Sequence, residues 1–150
     1  MNFEEAIKSA FSNYFKFSGR ARRSEYWYFY LFNFIVAIVL SIFTITNKDL
    51  KILSDIWSLI ILFPSLALTV RRLHDIGKSG WYVLLFMLVI ILCGFLMFMA
   101  GDNDLMVVAA IEILLMLASI IVFIVWMCKD SQPGENKWGP NPKENNSEES

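Results

Sequence analysis

Trp81-Tyr82-Val83-Leu84-Leu85-Phe86-Met87-Leu88-Val89-Ile90-Ile91-Leu92-Cys93-Gly94-Phe95-Leu96-Met97-Phe98-Met99-Ala100 runs for 20 residues without a charge. A helix of that length rises about 30 Å, the thickness of a bilayer's hydrocarbon core. A 150-residue soluble domain could not hide such a run, because roughly a third of its unfolded surface would stay exposed. The whole chain is 57% hydrophobic, with a mean hydropathy of +0.53. Three further apolar runs, 26–46, 52–70 and 105–127, have 21, 19 and 23 residues. Backbone groups in lipid must bond within their own segment, so all four runs are expected to be transmembrane helices. Pro64 lacks an amide, and the carbonyl it frees should be satisfied by a neighbour, with a kink in the second span.

Outward from the spans, residues 3–17 place Phe3, Ala6, Ile7, Ala10, Phe11, Tyr14 and Phe15 on one helical face and polar residues on the other. An amphipathic helix lying at the interface or against the bundle is expected there. Asn2 followed by Glu5 has the spacing of a capping box. The first apolar run follows a long charged and aromatic lead without a small-residue cleavage site, so it reads as a retained span rather than a cleaved signal. Residues 1–142 form one expected membrane domain, and residues 143–150 an acidic, disordered tail.

Lysine and arginine orient this bundle. Eleven of the 13 lie before the first span, between the second and third, or after the fourth; only Lys48 and Lys51 lie on the other side. The connection between the third and fourth spans carries Asp102 and Asp104 and no cation. The positive-inside rule therefore places both termini in the cytoplasm. The fold class expected is an all-α membrane protein, an amphipathic helix followed by four spans, N-in and C-in. Cys93 and Cys128 sit within or at the end of apolar runs and read as reduced, inert positions.

This topology gathers Arg20, Arg22, Arg23 and Glu25 with Arg71, Arg72, His74, Asp75 and Lys78 on one face. Arginine forks suit phosphate or carboxylate, and each cation near an anionic leaflet contributes about 1 kcal/mol. The competing reading is structural, with Arg71 and Arg72 one helical turn before Asp75 and Glu25 able to pair with any of these arginines. His74 beside Asp75 admits a general base, but no nucleophile stands in a recognised motif. One histidine among scattered acids lacks metal-ligand spacing, so neither metal nor cofactor is expected. Gly77-Lys78-Ser79 ends like a phosphate loop, yet the required earlier glycine is Arg72, and no strand precedes it. Glu112 and Asp55 are acids in spans and so candidates for a proton or cation site.

Three blocks, residues 17–27 (Phe-Ser-Gly-Arg-Ala-Arg-Arg-Ser-Glu-Tyr-Trp), Pro64 with residues 71–81 (Arg-Arg-Leu-His-Asp-Ile-Gly-Lys-Ser-Gly-Trp), and residues 133–142 (Pro-Gly-Glu-Asn-Lys-Trp-Gly-Pro-Asn-Pro), occur in order with hydrophobic spans between them. Together they resemble the bacterial inner-membrane family of domain of unknown function 805, the YhaH-like proteins, over residues 14–142. The resemblance implies a small multi-span protein of the bacterial cytoplasmic membrane and supplies no substrate, reaction or cofactor. The functional expectation is a non-enzymatic binding or scaffold module. Its basic face would contact anionic lipid headgroups or a membrane-protein partner, with Trp27 and Trp81 anchoring the interface. Nucleic acid is not an expected partner, and oligomeric state is left open. Two alternatives stand beside it: a transporter or channel component using Glu112 and Asp55, and a membrane enzyme using His74.

Overall fold

The computed structural model describes residues 1–99 and 105–144. Among these residues the chain is helical, with helices α1 (Phe3–Ser12), α2 (Arg23–Thr46), α3 (Lys51–Asp75), α4 (Trp81–Met99) and α5 (Leu105–Cys128). A short 3-10 turn, Lys48–Leu50, joins α2 to α3. The last four helices are long and apolar enough to cross a membrane. Their flanks are covered with large exposed apolar side chains, from Leu31 and Phe34 on α2 to Ile121 and Val125 on α5. In water such patches would drive aggregation; in lipid they are the solvated surface.

Both halves of the expected capping box form in α1: the Asn2 side chain accepts from the Glu5 amide, and Glu5 accepts from the Asn2 amide, each at 2.9 Å. Ala6 and Ala10, one turn apart, are fully buried, and Phe11 packs edge-on against Phe29 and Phe32 of α2. The helix ends at Ser12 rather than at residue 17. Asn13 turns its side chain back onto the Ser9 carbonyl at 2.8 Å, which releases the next residues from the helix. Tyr14 thereby reaches α3, where its hydroxyl donates to the carbonyl of Ile60. That carbonyl is the one left without an amide by Pro64, four residues on.

Hydroxyl side chains inside the spans are satisfied locally. Ser41, Ser58, Ser65, Thr69 and Ser119 each donate to the carbonyl four residues back. Because Thr69 spends its proton on Ser65, the Tyr30 hydroxyl must donate to Thr69 across the α2–α3 contact, at 3.1 Å. The Trp57 ring nitrogen donates to Asn33 at 2.9 Å in the same contact. The α4–α5 hairpin is held instead by aromatic edges, Tyr82 on Trp126 at 5.1 Å and Phe86 on Phe123 at 5.2 Å.

The buried core lies at one end. It includes Ala10 of α1, Ala21 just before α2, Tyr26 and Phe29 from the start of α2, Leu68 and Leu73 from the end of α3, and Met127 from the end of α5, with Ile61 of α3 extending it inward. Two spans run past their expected limits there. α2 starts at Arg23 and α3 continues to Asp75, because a helix need not stop where the lipid does. Asp102, Asp104, Ala100 and residues 145–150 lie outside the described residues.

Candidate functional site

α3 ends in a Schellman motif: the Lys78 amide donates to Leu73 at 2.8 Å and the Gly77 amide to His74 at 3.1 Å. Gly77 takes φ +77°, which that closure demands and which L side chains rarely adopt. Gly80 serves a different need. A Cβ there would lie 2.6 Å from Val70, so glycine lets α4 start hard against α3. These two glycines fix the turn that presents residues 71–81.

Asp75 is the centre of the site, with a side chain completely shielded from solvent. Its Oδ1 accepts from Arg20 Nε at 3.0 Å; its Oδ2 accepts from Arg72 and, at 2.6 Å, from the Ser131 hydroxyl. Its carbonyl accepts from the Gln132 amide at 2.9 Å. Arg20 then reaches into the C-terminal segment, donating to the carbonyls of Gln132, Gly134 (2.7 Å) and Gly139 (3.2 Å). Arg72 donates to the carbonyls of Met127 (3.1 Å) and Lys129, the unsatisfied carboxyl end of α5. A cation at that end also meets the negative pole of the helix dipole.

Arg71 faces the other way. It pairs with Glu25 at 3.1 Å, and Glu25 also accepts from the Ser9 hydroxyl at 2.9 Å, so α1, α2 and α3 meet on one carboxylate. Two Arg71 nitrogens, Nε and Nη2, are buried without a hydrogen-bond partner. The helical spacing of Arg71 and Asp75 is therefore not used, while that of Arg72 and Asp75 is. The His74 ring shares a hydrogen bond at 3.2 Å between Nδ1 and the Gly19 carbonyl. It stacks on Trp138 at 4.5 Å with an interplanar angle of 11°. Asn136 donates to the His74 carbonyl at 3.0 Å.

The three sequence blocks thus close into one polar knot, with residues 131–142 strapped across the α3–α4 turn. Of the candidate residues, Arg20, Glu25, Arg71, Arg72, His74 and Asp75 lie inside it. Arg22 donates to the Pro142 carbonyl at the edge, Arg23 is exposed, and Lys78 is half-buried with its ammonium 4.0 Å from the Trp126 ring centroid. The strap's own contributors, Ser131, Gln132, Asn136 and Trp138, were not among the candidates. Their signal was a tryptophan inside an otherwise polar, glycine- and proline-rich block. The strap also orders the start of the expected tail. Lys143 pairs with Asp130, and Asn141 donates to Glu144 at 2.9 Å. With the Ser131 amide, Lys143 holds the Asp130 carboxyl below the usual carboxylate range.

Glu112 and Asp55 are not drawn into the knot. Glu112 is buried in α5 with Oε1 unbonded, whereas Asp55 is exposed near the start of α3. Neither makes an ion pair with Lys48, Lys51 or any other described residue.

Four apolar helices of spanning length and a polar knot at one end define a multi-pass α-helical membrane protein. The chain belongs to the family described as "Protein of unknown function (DUF805)", whose model matches residues 14–140. It is 35% identical to the inner membrane protein YhaI of Escherichia coli K12, over 90% of this chain and 92% of that one. It is 34% identical to the inner membrane protein YhaH of the same strain, over 87% and 90%. A third relative there, the uncharacterized protein YiiR, is 31% identical over 83% and 84%. No solved structure matches the chain. With these relatives and its four spans, the chain is a multi-pass protein of the bacterial inner membrane.

Proposed function

We propose that the chain is a non-enzymatic binding module whose knotted end holds anionic lipid headgroups from the cytoplasmic leaflet. One observation carries the reading: the division of labour among the cations. Arg20, Arg71 and Arg72 are buried and face carboxylates and carbonyls of the chain itself. Lys78 and Lys137 instead lie at the rim with their ammoniums over aromatic rings, 4.0 Å from the Trp126 centroid and 4.2 Å from that of Trp138. Neither is in an ion pair with a described acid. A cation resting on a ring keeps its N–H bonds for an incoming phosphate. Exposed Arg23 and Lys129 extend the same rim, with Arg22 beside it, and Trp27 and Trp81 are exposed at helix starts as interfacial anchors. The positive-inside count supports the leaflet assignment.

The test is native mass spectrometry after mild extraction from membranes of mixed lipid. Wild-type protein is expected to retain anionic over zwitterionic phospholipid. Each of Lys78→Ala and Lys137→Ala should lower that retention about five-fold, the equivalent of roughly 1 kcal/mol per cation. Retention unchanged in the double variant would contradict the reading and favour a protein partner on the same rim. The transport reading has one observation in its favour, the unbonded Glu112 oxygen, and Asp55 offers it no second buried acid.

A further inference from the structure

A groove of about 540 Å³ runs between α3 and α4 just beneath the knot. Its walls are apolar along Leu66, Val70, Leu84 and Met87, and its polar lining, His74 and Ser79, lies at the knot end. Leu84 and Met87 are exposed on a span, so the groove opens to lipid rather than to water. On that side the surroundings are acyl chains. The volume lies in the range of pockets that hold small molecules.

The polar end states what the chain is attached to. A carbonyl only accepts, so the bond to Gly19 fixes a hydrogen on His74 Nδ1. In the neutral ring Nε2 is then a bare acceptor, and it has no partner among the described residues. The Ser79 hydroxyl accepts from the Trp81 amide at 3.4 Å and keeps its own proton to donate. The Lys137 ammonium stands over Trp138, the ring that stacks on His74. One mouth therefore offers an acceptor and a donor above an apolar trough, with a cation on the far face of the Trp138 ring.

We propose that this groove is a specific site for one phospholipid with a polyol headgroup, phosphatidylglycerol in kind. One tail lies along Leu66, Val70, Leu84 and Met87; the phosphate accepts from Ser79, with Lys137 across the Trp138 ring adding positive potential; a headgroup hydroxyl donates to His74 Nε2. A choline headgroup has no hydroxyl to give. A free glycerol phosphate would leave the trough empty. The site rests on the headgroup reading above and narrows it to one lipid at one place.

Delipidated full-length protein in detergent is titrated with phosphatidylglycerol, phosphatidylcholine or glycerol 1-phosphate and read by native mass spectrometry. The expected result is one phosphatidylglycerol per chain, held at least ten-fold more tightly than phosphatidylcholine, with no binding of glycerol 1-phosphate. Leu84→Trp fills the groove from its exposed side and should weaken that lipid ten-fold or more at an unchanged melting temperature. Met87→Trp serves the same purpose if Leu84→Trp unfolds the chain. His74→Asn can still donate to Gly19 while lacking the second ring nitrogen, and should erase the preference for phosphatidylglycerol over phosphatidylcholine. Anionic lipid that both tryptophan variants retain as well as wild type would overturn the groove and leave the headgroup reading standing. No anionic retention by wild type would overturn both. Binding of glycerol 1-phosphate as tight as that of the lipid would show a headgroup pocket without a tail site and overturn the inference.

Discussion

Asp75→Ala is expected to lower the stability of the folded chain by about 3–5 kcal/mol, because removing one partner strands buried charge. Here two charges are stranded, since Arg20 and Arg72 both pair with this carboxylate out of solvent. Asp75→Asn should recover little. An amide offers one acceptor oxygen, and its nitrogen would face an arginine donor. Arg71→Met is the useful comparison. Arg71 already leaves two nitrogens unbonded, and Glu25 keeps the Ser9 hydroxyl when the arginine goes, so its loss should cost clearly less. Unfolding of the purified variants in mixed micelles of mild detergent and dodecyl sulfate measures both. Equal, small losses for Asp75→Ala and Arg71→Met would mean that Asp75 is not the hub.

Ending the chain at Asp130 is expected to be at least as damaging, although it removes no span. The deletion takes away three carbonyls that Arg20 contacts, the Ser131 hydroxyl and Gln132 amide on Asp75, and the Trp138 ring on His74. Hydrogen bonds to charged groups contribute about 1.5–3 kcal/mol each, and water reaching the opened knot returns part of that. A net loss on the order of 3 kcal/mol or more is expected, seen as faster proteolysis and a lower melting temperature. Insertion itself should survive, because the spans enter on hydropathy alone. A truncated protein as stable as the full chain would show that the strap is an appendage.

What could be read from the sequence follows from what physics makes visible there. Lipid leaves the backbone no choice but helices, so the four runs announced themselves to within a few residues. Helix ends beyond the lipid are set by particular bonds instead: Asn13 onto Ser9 ended α1 early, and the Tyr14–Ile60 bond gave the freed residues a destination. The expected neighbour for the Pro64 carbonyl existed, but nothing in the residue pattern named Tyr14.

The site was legible as a gathering and not as a structure. Counting cations brings Arg20, Arg72 and Asp75 near one another, yet an arginine reaching for a phosphate and one reaching for a carbonyl look alike in sequence. The acceptors for Arg20 are the backbone oxygens of Gln132, Gly134 and Gly139, and main-chain oxygens carry no residue signature. The groove was equally invisible, since Leu66 and Leu84 become neighbours only through the close approach at Gly80.

The most direct test of the knot is cysteine labelling in intact cells and in inverted vesicles. In a chain with Cys93 and Cys128 replaced by serine, single cysteines stand at Asn2, Lys78, Glu135 or, on the opposite side, Lys48. An impermeant maleimide should label the first three only in inverted vesicles and Lys48 only in intact cells. Any one of Asn2, Lys78 and Glu135 reacting from the other side than its companions would contradict the knot, because segments on two faces of a bilayer cannot meet on Glu25 and Asp75.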